Sequence, residues 1–572
     1  MASTDGTASR QRAGRGRRVV FAVVAIALLG LLARLAFLGD RTAHWDEARV
    51  AYWTLHYLDT GLFEYQPIIH GPFLQQVNRA VFAVLGPNDF TMRLVVALLG
   101  AGLPLVALCF RERLSGVETV ALAGFLAFDP LVLYYSRFMR SDLPLAAFAL
   151  LALGCFVRAL DTRKPRSLHA GVLAFALAVT TKEYVLVYVV TWLGALVLLA
   201  DHRLFGCGLP TDWRGRLRVR IRSARPALRR WLPHLLASFV AFLVVVVYFY
   251  APRTGPNGGP GFDDLFADPT VLPAVVGEAT IGSWQAFVSL WVGGGHQDHA
   301  YLPFLGSAAE TLFVGSGALA VLSVVGFLVD RYADDGPRDL VAFCFYWGFV
   351  SVLGYPIIAD IAAPWTVLHA VVPLAVPAAV GVGALYRRGY TALASENRPA
   401  VAAVAVMGLL VVGQVGFVAT TDVYLDDQSD ANPLVQYAQP ASDLHPALHE
   451  MESVSAANSG TDLLLYGDFL VANTTGTREP GCSEWFDVLP LPWYFEAEDV
   501  RVACARNDSA FESAMNRSHP PVVVSLSSDA DSLEPRLAGY EAYPEVIRTQ
   551  DTSRTNITVF VEGAAANASD TP

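Results

Sequence analysis

Apolar residues in this chain gather into runs that are each about as long as a lipid bilayer is thick. An α-helix rises about 1.5 Å per residue, so roughly 20 apolar residues cross the ~30 Å hydrocarbon core. The pattern predicts eleven transmembrane helices, of which the fifth is short for a full crossing. They lie near residues 19–38, 91–110, 117–135, 142–160, 168–181, 184–200, 232–250, 308–329, 339–358, 366–386 and 400–419.

Polar residues interrupt two of these runs. Arg34 lies inside the first run, where we expect its long side chain to reach out to the water interface. Asp129 and Pro130 interrupt the third run. Pro130 has no N–H group and predicts a broken helix, while Asp129 either lines a cavity or marks the kink.

After residue 420 the pattern changes to short, bounded elements. A helix is predicted near 443–457, and four short segments rich in β-branched residues are typical of strands. These segments are 462–466, 500–504, 521–525 and 556–560. Residues 420–572 are therefore predicted to form a small α/β domain. The segment has neither a glycine-rich phosphate loop nor a nucleophile elbow, which favours binding or docking over catalysis there.

Arginine-rich loops give the predicted helices an orientation. Arginines precede the first run and cluster after the second, fourth, sixth and tenth runs. Because basic residues collect in cytoplasmic loops, residues 1–18 are predicted to be cytoplasmic and residues 420–572 extracellular. Residues 19–419 form the predicted membrane domain of a multi-pass cell-membrane protein, with long outer loops at 39–90 and 252–307. No small-residue cleavage site flanks the first run, so we expect an anchor.

The composition supports this topology. The chain is 54% hydrophobic and 16% charged, whereas soluble domains carry about 25% charged residues. The tail, 420–572, has 25 acidic and 7 basic residues, a net charge of −18 against −11 for the whole chain. An exterior tail can also hold a disulfide between Cys482 and Cys504 and can carry N-glycans. Its five Asn-x-Ser/Thr sequons are at Asn473, Asn507, Asn516, Asn556 and Asn567.

Lysine is scarce in this sequence. Only two lysines accompany 39 arginines. Together with the acidic tail, this usage predicts a protein from a high-salt organism, since carboxylates keep a protein solvated in concentrated salt. Half-maximal activity at low salt would contradict that hypothesis.

An acidic pair, Asp46-Glu47, follows directly on the first run, two residues after His44. Carboxylates are costly beside hydrocarbon, so acids at the membrane edge are candidates for function. The alternative is an ordinary solvated loop. The other predicted outer segments favour function, because they add further polar side chains on the same side of the membrane. These are His70, Arg137, Arg140, Asp142, Lys182, Glu183, His296, His299, Trp365 and His369.

Three pairs among these residues have a simpler interpretation. Arg137 and Arg140 can be arginines that snorkel along the outer membrane surface. Lys182 and Glu183 can form an ion pair between sequence neighbours. Near the tenth run, an aromatic residue and a histidine can likewise be interfacial anchors; they are Trp365 and His369.

The mixture of side chains suits the transfer of a sugar from a lipid-phosphate donor. A carboxylate base must deprotonate the acceptor hydroxyl, and cations must neutralise the departing phosphate. Asp46 and Asp142 could share a divalent cation, Mg²⁺ or Mn²⁺, with a histidine. His296 and His299 have the spacing of a metal pair, although they stand in a glycine-rich loop without a third ligand.

Several motifs together resemble the flippase-activity-associated proteins of archaeal N-glycosylation. That family is similar to the larger superfamily of polyprenyl-phosphate-sugar-dependent transferases, which includes the protein O-mannosyltransferases and the aminoarabinose transferases of lipid A. The motifs are DEA at 46–48, YQPIIHGPF at 65–73, YYSRFMRSD at 134–142, TKE at 181–183, PWTVLHAVVP at 364–373 and LPLPWY at 489–494.

The resemblance implies an all-α polytopic membrane protein with a GT-C-like fold, an outer-face active site and a C-terminal exterior α/β domain. Asp46 falls where the superfamily has a base or metal ligand, with Glu47 beside it, and Asp142 where it has a second acid. Lys182 falls where some relatives contact the donor phosphate. The sequence departs from the pattern at Glu183, whose charge would offset that of Lys182.

These observations lead to one assignment of site residues. Asp46, Glu47 and Asp142 are predicted to be catalytic. A divalent cation is predicted at Asp46, Asp142, His296 and His299. The predicted substrate-binding residues are His44, His70, Arg137, Arg140, Lys182, Glu183, Trp365 and His369.

The predicted function is the transfer of a sugar from a polyprenyl- or dolichyl-phosphate donor to a lipid-linked glycan or glycoprotein on the outer face. The alternative is a non-catalytic partner of a lipid-linked glycan flippase. Expected partners are membrane lipids and proteins of the glycosylation pathway, including a flippase, and no nucleic acid. Secondary transport fits less well, because the acids lie at loop edges and no internal repeat occurs.

Overall fold

The structure is a computed structural model of the 572-residue chain. It describes residues 4–205, 213–253, 259–293, 299–333, 337–429, 431–435, 438–473, 482–548 and 554–563. The chain forms two compact units. Unit 1 consists of Met1–Ala36, Leu62–Leu74 and Leu94–Asp426, and unit 2 of Phe37–Gly61, Gln75–Arg93 and Asp427–Pro572.

Helices dominate the chain. The first sixteen are α1 Thr4–Leu35, α2 Trp45–Thr60, α3 Phe73–Leu85, α4 Asp89–Gly102, α5 Gly116–Phe128, α6 Pro130–Tyr135, α7 Asp142–Thr162, α8 Pro165–Val179, α9 Val185–Phe205, α10 Trp213–Tyr250, α11 Leu272–Gly277, α12 Ser283–Phe287, α13 Tyr301–Arg331, α14 Asp339–Ile358, α15 Leu368–Ala394 and α16 Arg398–Thr420. Five more follow: α17 His445–Ala457, α18 Trp485–Val488, α19 Leu491–Ala497, α20 Asp508–Ser518 and α21 Ser527–Leu533. Every predicted apolar run coincides with a helix.

Eight helical segments among the described residues are long and apolar enough to cross a membrane. They are Gly16–Leu35, Asp89–Phe110, Asp142–Thr162, Arg229–Tyr250, Tyr301–Arg331, Asp339–Ile358, Pro364–Ala394 and Arg398–Leu425. Three shorter apolar helices occupy Gly116–Phe128, Pro165–Val179 and Val185–Ala200. The polytopic all-α membrane fold is therefore confirmed. The count of eleven crossings and the orientation of the chain ends stay predictions.

The third apolar run is broken, as its proline predicts. Helix α5 ends at Phe128 and α6 begins at Pro130. Between them, buried Asp129 accepts hydrogen bonds from the Val132 N–H at 3.3 Å and from the Ser316 hydroxyl at 2.7 Å. Ser316 itself has non-helical angles inside α13 (φ −134°, ψ 28°). Asp129 thus marks a kink, where it joins the break in one helix to the bend in another.

The expectation for Arg34 is wrong. Its side chain is fully buried, and its guanidinium donates to the carbonyls of Ala127 at 2.8 Å and Leu126 at 3.3 Å. Pro130 has no N–H to offer the Leu126 carbonyl four residues earlier, and an unsatisfied carbonyl in apolar surroundings costs several kilocalories per mole, roughly. Arg34 supplies the missing donor. The hydrogen bonds that it makes in this position outweigh the hydration that its side chain would gain at the interface.

Unit 2 contains the predicted α/β domain. Its strands are β1 Leu463–Tyr466, β2 Val502–Ala505, β3 Val522–Leu526, β4 Tyr540–Arg548 and β5 Arg554–Glu562. They form one sheet in the order β2-β1-β3-β5-β4, in which β1 runs parallel to β2 and β3, and β5 antiparallel to β3 and β4. The sequence did not predict β4, because this edge strand contains Pro544 and only two of its nine residues are buried.

The sheet is covered on both faces. Leu463 and Leu465 of β1 pack into one apolar core and Leu464 packs into the other. Burial on both faces explains why the parallel strands read as unbroken apolar runs. Beside them, a disulfide joins Cys482 to Cys504 of β2, the pair that the sequence analysis considered for a disulfide.

Two pieces of the predicted outer loop one belong to unit 2, and helix α2 lies in the first of them. Asp89 accepts hydrogen bonds from the indole N–H of Trp493 at 3.0 Å and the hydroxyl of Tyr494 at 2.8 Å. The LPLPWY motif therefore fastens the tail to loop one. The predicted division at residue 420 lies close to the start of the third segment of unit 2.

Candidate functional site

Three turns of the chain bring predicted site residues together inside unit 1. Arg140 lies in the turn before α7, and Asp142 is the first residue of that helix, where a helix dipole favours an acid. Lys182 lies in the turn between α8 and α9, and His369 in the first turn of α15. We call these four residues the Asp142 cluster.

Asp142 is the centre of the cluster. Its Oδ1 lies 2.9 Å from Lys182 Nζ and 3.1 Å from His369 Nε2. Its Oδ2 lies 3.5 Å from Arg140 Nε. All four side chains are buried. One carboxylate thus faces both a lysine and an arginine side chain.

Aromatic rings surround the cluster. The Arg140 guanidinium lies 3.7 Å from the ring centre of Trp365. Tyr188 Oη is 2.7 Å from His369 Nδ1, and the Tyr355 ring stacks on the imidazole at 4.7 Å. Trp365 and His369 are therefore parts of a buried polar centre, and their alternative interpretation as interfacial anchors is wrong.

Glu183 belongs to a second polar group in unit 1. Its carboxylate accepts the Tyr65 hydroxyl at 2.6 Å and lies 3.1 Å from His70 Nδ1. Burial by itself would raise the pKa of Glu183, but the hydrogen bond and charge of His70 and the Tyr65 hydroxyl outweigh it and lower that pKa. Because Lys182 turns to Asp142 instead, the two neighbours do not neutralise each other.

The loop that carries His70 lies against the Lys182 turn. The Gly71 and Phe73 N–H groups donate to the carbonyls of Thr181 and Thr180, at 3.1 and 2.9 Å. A Cβ added to Gly71 would lie 2.4 Å from the Thr180 oxygen. Only glycine allows this close approach of the two backbones.

Arg137 occupies a different place from Arg140. Its guanidinium lies 4.7 Å from the ring centre of Tyr424 and donates to the carbonyls of Ala33 and Ala36 at the end of α1. Both arginines are buried. Neither therefore snorkels along the membrane surface, and the binding role of Arg137 stays a prediction.

In unit 2, Glu47 is enclosed in a buried ion pair. Arg93 donates to both of its carboxylate oxygens at 3.1 Å, Arg41 lies 3.5 Å away, and the His44 N–H donates at 3.1 Å. Burial by itself would raise the pKa of Glu47, but the charges of Arg93 and Arg41 and these hydrogen bonds lower it to about 2. This geometry gives Glu47 a structural role, in contrast to its predicted catalytic one.

Asp46 and His44 lie at the start of α2. His44 is the N-cap, and its Nδ1 accepts the Asp46 N–H at 3.0 Å. The cap and its complete burial make His44 a helix-starting residue. Asp46 keeps a partly exposed side chain, 12%, and Arg49 Nη2 lies 2.7 Å from its Oδ1.

The metal prediction remains a prediction. Among the described residues, no three His, Cys, Asp or Glu side chains form a group that could hold a metal ion. His296 lies outside the described residues, and His299 Nε2 is 2.9 Å from the Pro356 carbonyl oxygen. The carboxylate of Asp142 already faces two cations, so the donors around it do not fit a divalent cation.

The sequence did not indicate several partners of these groups. Arg93 and Arg41 hold Glu47, and Tyr188 orients His369. Arg93 left a signal, because it is the only charged residue within the apolar run 91–110. No comparable signal marks Arg41 or Tyr188, since which groups face each other depends on packing.

Two parts of the chain match known families. Residues 444–562 match the family described as the Agl23 flippase-associated protein C-terminal domain. The predicted family resemblance is confirmed. Residues 69–207, which include the Asp142–Lys182 pair, match the family described as dolichyl-phosphate-mannose-protein mannosyltransferase. No curated protein sequence gives a match.

Solved structures of ArnT share the fold of this chain. ArnT from Cupriavidus metallidurans in the apo state has 15% identity and a TM-score of 0.54, covering 95% of this chain and 98% of that one. For ArnT bound to undecaprenyl phosphate the identity is 16%, the TM-score 0.54, and the coverage 94% and 97%. The archaeal oligosaccharyltransferase AglB from Archaeoglobus fulgidus has 14% identity, a TM-score of 0.49, and coverage of 96% and 75%. The ArnT likeness confirms the predicted GT-C-like fold.

Proposed function

We propose that this protein is a glycosyltransferase that takes a sugar from a polyprenyl- or dolichyl-phosphate donor on the outer face of the membrane. The mannosyltransferase match and the ArnT-like fold support the class, a polyprenyl-phosphate-sugar-dependent membrane glycosyltransferase. The observation that carries the proposal is the Asp142 cluster, because it brings a buried lysine and a buried arginine together, the two side chains that bind phosphate groups.

We assign to Lys182 and Arg140 the binding of the leaving phosphate. A phosphate bears more negative charge as its bond to the sugar breaks, so cations that are already in place favour the transition state over the ground state. Asp142 holds the lysine in position at 2.9 Å, and His369 lies 3.1 Å from the same carboxylate oxygen. The Trp365 ring lies against one side of the Arg140 guanidinium and fixes its plane.

The acceptor is activated by a carboxylate, and we assign this role to Asp46 on the family resemblance. Of the acidic pair, Asp46 retains an exposed fraction of 12%, whereas Glu47 has none. In the step, the acceptor oxygen forms a bond to the anomeric carbon as the bond from that carbon to the phosphate oxygen breaks. The phosphate keeps the electron pair and Asp46 takes the acceptor proton, so a single displacement inverts the anomeric centre.

A second function follows from the match of the C-terminal domain. The Agl23 family is described as flippase-associated, which favours a protein that assists the movement of a lipid-linked glycan. In that case the polar groups would bind the lipid-linked glycan without transferring a sugar. Under the transferase function, by contrast, a lipid-linked glycan or a glycoprotein accepts the sugar.

Sugar transfer by the purified protein tests the proposal. Radiolabelled polyprenyl-phosphate sugars and lipid-linked glycans are supplied to the full chain in lipid nanodiscs, over a range of salt concentrations and with and without divalent cations. We expect label on the acceptor with the unaltered protein and a loss of at least about 100-fold with Asp46→Asn. Asp468→Asn, at a side chain that is 79% exposed, is the matched control.

The outcomes separate the two functions. If sugar transfer survives Asp46→Asn but fails in Lys182→Gln, the protein is a transferase and Asp46 is not its base. Donor binding without transfer, in the unaltered protein under every condition, would support the flippase-partner function. Orientation is tested separately, by labelling of a cysteine placed at Asp468 with a membrane-impermeant reagent on intact cells.

A further inference from the structure

A furrow of about 580 Å³ lies between α15 and α16 of unit 1. The two helices approach closely beside it, because a Cβ added to Gly389 would lie 3.0 Å from Val404 Cγ1. Small residues such as Ala403 keep the furrow open on the α16 side. The furrow is separate from the Asp142 cluster, since none of the four cluster residues lines it.

Cationic and polar side chains form the α15 wall. Arg387 and Arg388 line it, and Asn397 closes it at the turn between the helices. Arg387 Nη1 lies 3.3 Å from Glu118 Oε1, so its charge is partly balanced. Arg388 is exposed and forms no ion pair with any residue that the structure describes. The furrow therefore presents one uncompensated cation.

Apolar side chains form the α16 wall. Ala403, Val404 and Met407 lie on one face of that helix, at the i, i+1 and i+4 positions. Only 6% of the apolar stretch within the span Arg398–Leu425 is buried inside the protein. In a membrane protein, an apolar helix with such exposure is surrounded by lipid, so the furrow opens towards lipid.

We propose that this furrow binds an anionic phospholipid. The phosphate of the headgroup would pair with Arg388, and an alkyl chain would lie along Val404 and Met407. The combination of one cationic and one apolar wall matches the amphipathic shape of a phospholipid, whereas a soluble anion would gain nothing from the apolar wall. The proposal is independent of the sugar-transfer reaction.

Native mass spectrometry of the full chain tests this site. The protein is released from nanodiscs that contain phosphatidylglycerol and phosphatidylcholine in equal amounts, and the retained lipids are counted. We expect preferential retention of phosphatidylglycerol. Arg388→Gln should lower that retention about fivefold, the effect of roughly one basic residue near an anionic lipid.

Two further variants separate the site from general charge effects. Arg398→Gln removes the same charge from an exposed position at the start of α16 that does not line the furrow, and it should change retention less than about twofold. Ala403→Phe fills the furrow without a charge change and should displace the lipid. Excess inorganic phosphate should leave the retained lipid in place.

Three results would overturn the proposal. They are equal retention of the two lipids, equal effects of Arg388→Gln and Arg398→Gln, and retention that Ala403→Phe leaves unchanged. Displacement by inorganic phosphate would show instead that the furrow takes a free anion. Because sugar transfer is not measured, none of these results depends on the proposed function.

Discussion

Lys182 Nζ lies 2.9 Å from Asp142 Oδ1, and both side chains are 1% exposed. An ion pair this deeply buried holds its two turns together, because either charge alone would be left without solvation. The pair also places the lysine where it can meet a phosphate. Stability and sugar transfer should therefore respond together when one partner is removed.

Lys182→Gln should lower the free energy of unfolding by about 3–5 kcal/mol, the usual cost of leaving a buried partner unpaired. Transfer should fall by about 10²–10³-fold, as when a preorganised charge is lost. Thermal unfolding and turnover in nanodiscs measure the two effects. The double variant Lys182→Gln, Asp142→Asn should regain part of the stability and none of the turnover; recovery of turnover would contradict the phosphate role.

Glu47→Gln should destabilise unit 2, because the buried Arg93 loses its charged partner; the loss is about 3 kcal/mol or more. The pKa of Glu47 is lowered from 4.5 to about 2. The contribution of ionised Glu47 to the free energy of unfolding is therefore fully present above pH 4.5 and is lost as the pH falls through about 2. Tryptophan fluorescence during acid unfolding measures this. The variant should lack that part of the acid sensitivity, and an unchanged acid transition would remove Glu47 from the structural role.

His445 should make unit 2 more stable at mildly acidic pH than at alkaline pH. Its side chain lies 3.1 Å from Asp89 and 2.6 Å from Asp443, and the bond to Asp89 is the main cause of its raised pKa. Stability from this residue is present below pH 6.5 and decreases as the pH rises through the raised value. Melting temperatures on both sides of neutrality should differ more for the unaltered protein than for His445→Gln.

Gly71→Ala should cost about 1–3 kcal/mol and disturb the Lys182 turn, because the new methyl group would overlap the Thr180 carbonyl. Gly102→Ala is the matched control, since a Cβ there meets nothing within 4 Å. Melting temperatures of the two variants measure the difference. Equal stability would mean that the two backbones are farther apart than the structure shows.

Removing the disulfide by Cys482→Ser should destabilise the α/β domain by about 2–4 kcal/mol, because the reduced chain gains freedom in the unfolded state. Treatment of the unaltered protein with a reductant should give the same loss, and the variant should not respond to it. A reductant effect that persists in the variant would point to another cause.

Local patterns predicted most elements but few partners. The eleven apolar runs all became helices, and Pro130 correctly placed a break, because both depend on residues within a few positions of each other. Strand β4 was missed, since an edge strand gains its place from β5 rather than from its own alternation. The sequence identified the site residues as one set, but it did not show that they divide into separate groups.

The sequence by itself determined the membrane class, the helical runs, the tail domain and the polar residues that gather at the predicted outer turns. Those features follow from hydrophobicity and spacing along the chain. Only the tertiary structure decided that Lys182 faces Asp142, that Glu183 faces His70, and that Arg34 turns inward. The physical reason is that electrostatic and hydrogen-bond energies depend on distances of about 3 Å between residues far apart in sequence, which packing alone sets.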